Sequence, residues 1–229
     1  IASGDTSHAE GISTTALGIG SHAEGEFSTA SGRGSHAQNS ATLASGNYSH
    51  AEGSQTTASG DYSHAEGNNN LASGEASHAE GGVYFNGKGS VSQPTSAITY
   101  SSHSEGLSTL ASGQGSHAEG RFTVASGLGS HAEGESTTAS GFASHAEGFT
   151  TFASGYSHAE GGQTTSVGSF SHSQNSQTIA SGNYTHAAGR NSIASGLTSF
   201  IHSTDSLVTG VRSAVLGGQN ITGTTDDTV

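Results

Sequence analysis

Histidine and glutamate recur along this chain at a spacing that could bring metal-ligating or proton-transferring groups together. From His8 onward a histidine returns mostly at 14-residue intervals, and in ten repeats a glutamate follows it two positions later. Residues i and i+2 of a β-strand point to the same face. The imidazole and the carboxylate of each repeat are therefore expected side by side, as pairs that could ligate a metal ion or share a proton.

Three interpretations of these pairs compete. A metal array could use the imidazole nitrogens and carboxylate oxygens, but such arrays usually add Cys or Asp, and Ala188 replaces the glutamate in one repeat by a residue without a ligand atom. A catalytic site needs a distinct nucleophile or acid pair, and near-identical repeats distinguish none. We favour a structural ladder and expect no enzyme activity, no metal site and no cofactor.

The elements that position these pairs are two halves of each repeat, both of the pattern Ser/Thr-x-Ala-x-Gly-x-x. Residues 56–62 show the half that we name TASG, and residues 63–69 show the half that we name SHAEG. Alternating small and variable residues followed by glycine predict a short strand and a tight turn, with glycine supplying a positive φ. Ser, Ala and Gly are expected inside, and the variable residues outside.

Stacked coils of this kind predict an all-β fold, a parallel β-roll (solenoid) of 14-residue coils with two short strands per coil. Recurrent glycine argues against a helix, because each one in a helix interior costs about 1 kcal/mol. A roll this flat has little interior, so we expect three chains around a threefold axis. We predict the roll over residues 1–205, with a hairpin insertion at 82–94, and terminal repeats with a transition to a following segment over 206–229.

Either strand of the coil could face the threefold axis. Apolar residues such as Leu43 and Phe152 in the TASG half favour burying that strand. However, a close-packed axis cannot easily alternate three Thr with three Phe, whereas the SHAEG strand is nearly constant. We predict the SHAEG strand at the axis, with a ladder formed by His8, Glu10, His22, Glu24, His50, Glu52, His64, Glu66, His78, Glu80, His117, Glu119, His131, Glu133, His145 and Glu147.

Pairing of these residues, within one chain or between chains, has an electrostatic consequence. Each charged form gains a partner, so the His pKa values are expected to rise and the Glu pKa values to fall on folding. Stability is then expected to peak at mildly acidic pH, between about 4.3 and about 6.5.

Composition limits the other classes of function. The chain has 36 Gly, one Pro, no Cys and a formal charge of -13 with only five Lys and Arg. Order must come from regular repetition, because such a chain cannot build a thick apolar core. A basic stripe for nucleic acid is excluded. Without an apolar run of about 18 residues, we expect no membrane insertion by this segment.

The repeats resemble the head repeats of the YadA-like trimeric autotransporter adhesins, most closely in residues 206–210 and 213–217, Ser-Leu-Val-Thr-Gly and Ser-Ala-Val-Leu-Gly. This resemblance implies a left-handed parallel β-roll, a homotrimer and a role in attachment. The SHAEG variant is also similar to the shaft repeats of phage tail fibres. The closing residues 223–229 are similar to the stretch that precedes a self-cleaving trimerisation chaperone in such fibres.

One insertion interrupts the pattern between His78 and His103, where 25 residues replace 14. The register resumes at Thr95, and the intervening segment, with an Asn-Gly turn, predicts a β-hairpin. Its aromatic and cationic residues are candidate contacts for a receptor or glycan: Tyr84, Phe85, Asn86 and Lys88. A tolerated loop without function is the alternative.

These observations favour a structural attachment protein, an extracellular trimeric fibre shaft that binds a host surface receptor or polysaccharide. A phage tail fibre is preferred, and a bacterial cell-surface autotransporter adhesin that binds host matrix or glycans is the alternative. Ice binding is disfavoured because apolar residues interrupt the Thr ladder of the TASG half. A polysaccharide-cleaving solenoid is disfavoured because no acid pair stands out.

Overall fold

The computed structural model describes residues 1–82 and 94–227, and over these residues the chain is an all-β parallel β-solenoid without a helix. Accordingly, none of the described elements is a helix long and apolar enough to cross a membrane. The chain divides into two compact units, Ile1–Phe122 and Thr123–Val229. Each unit is built from coils that contain one SHAEG strand and one TASG strand.

In the first unit the SHAEG strands form one parallel sheet and the TASG strands form a second. The SHAEG strands are β1 His8–Ile12, β3 His22–Glu26, β5 His36–Ala37, β7 His50–Ala51, β9 His64–Gly67, β11 His78–Gly82, β13 His103–Leu107 and β15 His117–Arg121. The TASG strands are β2 Thr15–Ala16, β4 Thr29–Ala30, β6 Leu43–Ala44, β8 Thr57–Ala58, β10 Leu71–Ala72, β12 Ser96–Ala97 and β14 Leu110–Ala111.

The second unit repeats this arrangement. Its SHAEG strands are β17 His131–Glu135, β19 His145–Phe149, β21 His158–Gly162, β23 His172–Ser173, β25 His186–Arg190, β27 Phe200–Thr204 and β29 Ala214–Gln219. Its TASG strands are β16 Val124–Ala125, β18 Thr138–Ala139, β20 Phe152–Ala153, β22 Thr165–Ser166, β24 Ile179–Ala180, β26 Ile193–Ala194, β28 Leu207–Val208 and β30 Thr222–Gly223.

Register is kept where the repeat length changes. Across the insertion, His78 pairs with His103 and Ala72 pairs with Ala97, as the resumption at Thr95 predicts. Across the one-residue deletion before Ser157, His145 pairs with His158. Equivalent residues therefore stack on one another on both sides of each length change.

The interior of the solenoid consists of alanine and hydroxyl side chains. The Ala of nearly every half is fully buried, and the Ser or Thr that opens each half is buried beside it. Only the last coils of the second unit use larger apolar residues at the Ala position, namely Ile201, Val208 and Val215. The prediction that small residues lie inside and variable ones outside is confirmed for Ser, Thr and Ala.

Several buried serine hydroxyls are satisfied by the backbone of the preceding turn, whereas the hydroxyls of Ser21 and Thr123 have no hydrogen-bond partner in the described structure. Ser63 Oγ donates to the carbonyl oxygen of Gly60 at 2.6 Å, and Ser171 Oγ donates to that of Gly168 at 2.6 Å. A buried polar group without such a partner would destabilise the fold, typically by about 1–3 kcal/mol. Serine at this position therefore both fits the narrow interior and ties the TASG turn to the next SHAEG strand.

The two glycines of a coil have different roles, which corrects the expectation that both lie inside. The SHAEG glycine Gly25 is exposed, with a φ of +97°. The TASG glycine Gly46 is buried and has no positive φ, but a Cβ there would collide with the carbonyl group of Gly60 in the next coil. The TASG half thus needs glycine for close approach between coils.

The positive φ of each turn falls mainly on the seventh residue of the half, and that residue is often not glycine. Tyr62 closes a TASG half at a φ of 58°, and Asn69 closes a SHAEG half at 57°. Such a conformation is unusual outside glycine. Stacking of successive coils holds these residues in the left-handed region.

Candidate functional site

The outward face of the SHAEG sheet carries the candidate site. Along each strand the Ala side chain points into the solenoid, while the His before it and the Glu after it are half-buried on the opposite face. Parallel pairing in register places His64 beside His78 and Glu66 beside Glu80. Fifteen of the sixteen predicted ladder residues lie on SHAEG strands, Glu52 directly follows one, and the residues are brought together within each unit.

The structure extends this set by residues at equivalent positions. In the first unit it adds His36, His103 and Glu105, and in the second unit His158, Glu160, His172 and His186. We refer to the predicted and the added residues together as the His/Glu ladder. Their spacing of 14 residues along the sequence, or 13 at the deletion, is the signal that identifies them.

The imidazoles of the ladder form continuous stacks. In the first unit the rings from His22 to His117 stack with centroids 4.6–4.9 Å apart and nearly parallel planes. In the second unit His145, His158 and His172 stack at 4.7 and 4.8 Å. These distances match the spacing of neighbouring strands, about 4.7–4.9 Å. The register of the sheet therefore sets the stacking.

Each glutamate lies beside the histidine of its own coil. The distance from His Nε2 to Glu Oε2 is 3.7 Å for His64 and Glu66, and 3.5 Å for His78 and Glu80. Glu160 lies between two coils, with Oε2 4.0 Å from Nε2 of His158 and Oε1 3.7 Å from Nε2 of His172.

The histidine nitrogens nevertheless lack hydrogen bonds through much of the ladder. Nε2 is shielded from solvent and has no hydrogen-bond partner in His50, His64, His78, His145 and His158. The expected hydrogen bond between His and Glu is described within the chain for His8 and Glu10, at 3.3 Å in the more exposed first coil. In the pairs His64 and Glu66 and His158 and Glu160 the two groups are farther apart, at 3.7 and 4.0 Å.

The pKa values of five histidines shift in the direction opposite to the one expected from the sequence. Burial lowers the pKa of His50, His78, His145, His158 and His186, and the positive charge of neighbouring stacked imidazoles lowers it further. The prediction that these pKa values rise is therefore wrong. Repulsion within the stack, added to burial, outweighs the attraction of the adjacent carboxylates.

The pKa values of the glutamates shift in both directions. The hydrogen bond with Glu80, burial and the contact with Glu52 raise the pKa of Glu66 to about 7. Burial and the hydrogen bond with Glu133 raise the pKa of Glu147. The predicted decrease is wrong for these two, because stacked carboxylates share protons, but it is found for Glu10, whose pKa the hydrogen bond with His8 lowers.

Three of the thirteen coils that begin a SHAEG strand with His lack the Glu. Gln38 Nε2 donates to Oε2 of Glu52 in the next coil, and Gln174 Nε2 forms a hydrogen bond with Nε2 of His186 at 3.3 Å. Ala188 leaves His186 without a carboxylate in its own strand. The ladder thus accommodates neutral residues at the Glu position, although the strands next to Gln38 and Gln174 are only two residues long.

The other predicted site falls outside the described residues. Tyr84, Phe85, Asn86 and Lys88 belong to residues 83–93, which the structure does not describe. The flanking residues are described, and Gly82 pairs with Leu107 as the last residue of its strand.

A second feature was missed by the sequence analysis. Exposed aromatic rings stack at the ends of consecutive TASG halves: Tyr48 on Tyr62 at 5.5 Å in the first unit, and Phe142, Tyr156, Phe170 and Tyr184 in the second at 5.1, 5.0 and 5.3 Å. We call the second set the aromatic ladder. The 14-residue spacing of the aromatics at 156, 170 and 184 was the available signal.

Comparison with known proteins relates three segments of the chain to a family. A search of curated proteins found no match. The family model described as YadA head domain repeat (2 copies) matches residues 9–35, 104–130 and 173–199. The matched segments include SHAEG and TASG strands from both units, and they confirm the resemblance seen in the sequence.

Proposed function

We propose that the chain is part of a homotrimeric extracellular attachment protein. The observation that supports this proposal most strongly is the presence of YadA head domain repeats, the repeat of a trimeric adhesin, in three segments of a parallel β-solenoid. The repeats indicate an adhesin-type structural protein. Domains of this kind are displayed outside the cell, and they act by presenting a surface.

The thin interior supports the trimer. Core side chains are mostly Ala, Ser and Thr, which bury little apolar area per coil. A lateral partner along the whole solenoid would cover a sheet and supply the missing apolar and polar contacts.

We place the SHAEG sheet at the threefold axis, in a left-handed roll as the resemblance implies. One observation supports this orientation. The His/Glu ladder is nearly uniform from coil to coil, which a close-packed axis requires.

The chain contains no cysteine, so single introduced thiols test the orientation cleanly. Gln38→Cys lies on the ladder, and the matched Thr29→Cys lies on the outward face of the TASG sheet. Under a short bismaleimide cross-linker, Gln38→Cys is expected to give covalent dimers and Thr29→Cys mainly single chains. The reverse result would place the TASG sheet at the axis.

Oligomeric state is tested separately. Sedimentation equilibrium or native mass measurement should give three times 22.6 kDa. A stable folded monomer at micromolar concentration would overturn the proposed assembly.

Among attachment proteins we favour a phage tail fibre, because the SHAEG repeats and the closing residues 223–229 are similar to fibre shafts. A bacterial surface adhesin is the second candidate, supported by the matched head repeat itself. The gene context distinguishes them: a trimerisation chaperone directly downstream indicates a fibre, whereas a coiled-coil stalk and a membrane barrel indicate an autotransporter.

For the contact with a host receptor or polysaccharide we retain Tyr84, Phe85, Asn86 and Lys88 as candidates. Aromatic and cationic side chains of this kind suit a glycan or protein partner. Binding to a glycan array and to intact host cells should fall when these four residues are replaced by Ser. Unchanged binding would assign recognition to another surface, with the aromatic ladder as the next candidate.

A further inference from the structure

We propose that the His/Glu ladder binds divalent transition-metal ions, with a Glu, the His of its own coil and the His of the next coil as ligands. This site goes beyond attachment. Its donors lie within one chain, so the inference stands or falls independently of the trimer.

The distances support ligation. Metal bonds to His nitrogen and carboxylate oxygen are about 2.0–2.2 Å long, which places two tetrahedral ligand atoms about 3.4 Å apart. His78 Nε2 and Glu80 Oε2 are separated by 3.5 Å, and His103 Nε2 and Glu105 Oε2 also by 3.5 Å. These pairs already have the separation of two ligands on one ion.

A third donor is available from the next coil. In the set His145, Glu147 and His158 the three ligand atoms all lie within 4.8 Å of one another. Two ligand atoms at the 4.8 Å limit must approach by about 1.4 Å to reach the separation of two tetrahedral ligands. The half-exposed side chains of the ladder allow such a rotation, since His8 and His22 already meet at an interplanar angle of 62° instead of in a parallel stack.

The unpartnered nitrogens are an independent indication. In His50, His64 and His78, Nε2 is shielded from solvent and accepts or donates no hydrogen bond within the chain. Buried polar atoms in native proteins nearly always have a partner, so such atoms require an explanation. An ion beside Glu would satisfy the nitrogen and the carboxylate at once.

The donor set selects the class of metal. Imidazole together with carboxylate suits Zn²⁺, Co²⁺, Ni²⁺ or Cu²⁺, whereas Mg²⁺ and Ca²⁺ prefer oxygen ligands alone. We therefore expect zinc-type ions, for which Co²⁺ is a coloured substitute.

The test compares cobalt content in tag-free protein. The chain is stripped with chelator and dialysed against CoCl2, and bound cobalt is then measured by mass spectrometry. The ladder variant carries Glu52→Gln, Glu66→Gln and Glu80→Gln, conservative changes that Gln38 shows the ladder to accept. The control variant carries Asp5→Asn, Asp61→Asn and Glu75→Gln, which remove the same charge from exposed residues outside the SHAEG strands.

The parent should retain cobalt, at most one ion for every two coils because each imidazole Nε2 can ligate a single ion, and the ladder variant should retain clearly less. The control variant should match the parent. The inference is overturned if the parent binds no cobalt, if the ladder variant binds as much as the parent, or if both variants lose cobalt equally. X-ray absorption on the parent gives a second check, since a cobalt shell without imidazole scattering would also overturn it.

Discussion

His36 and His50, 14 residues apart, stack with parallel planes and ring centroids 4.8 Å apart. The same stacking is found between most neighbouring coils within each unit. The ladder therefore brings groups of like charge close together, as well as groups of opposite charge. Stacked imidazoles disfavour a second positive charge, and stacked carboxylates disfavour a second negative charge. Protonation of the ladder is therefore governed by contacts between coils as well as by the His/Glu pair of one coil.

Replacing Glu66 by Gln should stabilise the protein at alkaline pH. The folded-state pKa of Glu66 is raised to about 7, so its favourable contribution is complete below about 4.5 and is lost as pH rises through 7. Glutamine cannot ionise, and we expect Glu66→Gln to melt a few degrees above the parent at pH 8 and close to it at pH 4.5. Calorimetry with Glu75→Gln as the exposed control measures this. A variant that melts below the parent at pH 8 would contradict the shared-proton ladder.

Replacing His158 by Gln tests the histidine stack. Burial and neighbouring imidazoles lower the pKa of His158 from 6.5, so its contribution is present above that value and is lost as pH falls through the folded-state pKa. The advantage of the parent over His158→Gln should shrink between pH 7.5 and pH 5.5. Thermal unfolding at both values, with exposed His202→Gln as control, gives the answer. An advantage that grows in acid would restore the original pairing prediction.

The sequence predicted the coil well, because its signals are local. Small residues at alternate positions define the inward face, and the 14-residue phase alone places His78 opposite His103 across an insertion. The same reasoning identified the ladder residues, since i and i+2 share a strand face.

Contacts between coils were harder to predict. The sequence suggests that His64 pairs with Glu66, but the balance between that pair and the stacked His78 depends on distances of 3.7 and 4.8 Å that only the structure supplies. Likewise, the sequence suggested that glycine supplies the positive φ of the turns. In the structure Gly46 is required because the backbone of the next coil lies too close for a Cβ. The left-handed conformation of Tyr48 has no local signal, because stacking imposes it.

Two glycine substitutions distinguish a glycine that is required by the close approach of two coils from a glycine that is required only for a positive φ. A Cβ on Gly46 would meet the Gly60 carbonyl group closer than 3.0 Å, so Gly46→Ala must push coils apart and should cost about 3 kcal/mol or more. Gly115 has a φ of +62° and open space around it, so Gly115→Ala should cost only about 1–2 kcal/mol. Denaturant unfolding compares the two. Equal losses would show that the coils separate at Gly46 without strain.

The aromatic ladder should contribute to stability although it is exposed. Phe170 stacks on Tyr156 at 5.0 Å and on Tyr184 at 5.3 Å, and each such pair contributes about 0.5–1.5 kcal/mol. Phe170→Ala should therefore cost about 1–3 kcal/mol. Phe149 is similarly exposed but lies outside this ladder, and Phe149→Ala should cost less. Indistinguishable unfolding curves for the two variants would mean that the rings contribute little.

Removing residues 83–93 should leave the solenoid intact only if Pro94 is changed as well. The deletion joins Gly82 to Pro94 and restores a 14-residue coil, in which Pro94 becomes the seventh residue of a SHAEG half. That position requires a positive φ, as at Asn69 with 57° and Asn191 with 51°, whereas proline is held near -65°.

We therefore expect the deletion with Pro94→Asn to melt within a few degrees of the parent, because β10 already pairs with β12 and β11 with β13 in register. The same deletion with Pro94 retained should melt clearly lower, since the turn cannot close without strain. Circular dichroism melting of both variants and the parent decides between them. If the Pro94→Asn variant fails to fold, residues 83–93 are required for the coil itself, and the view that they only interrupt it would have to be abandoned.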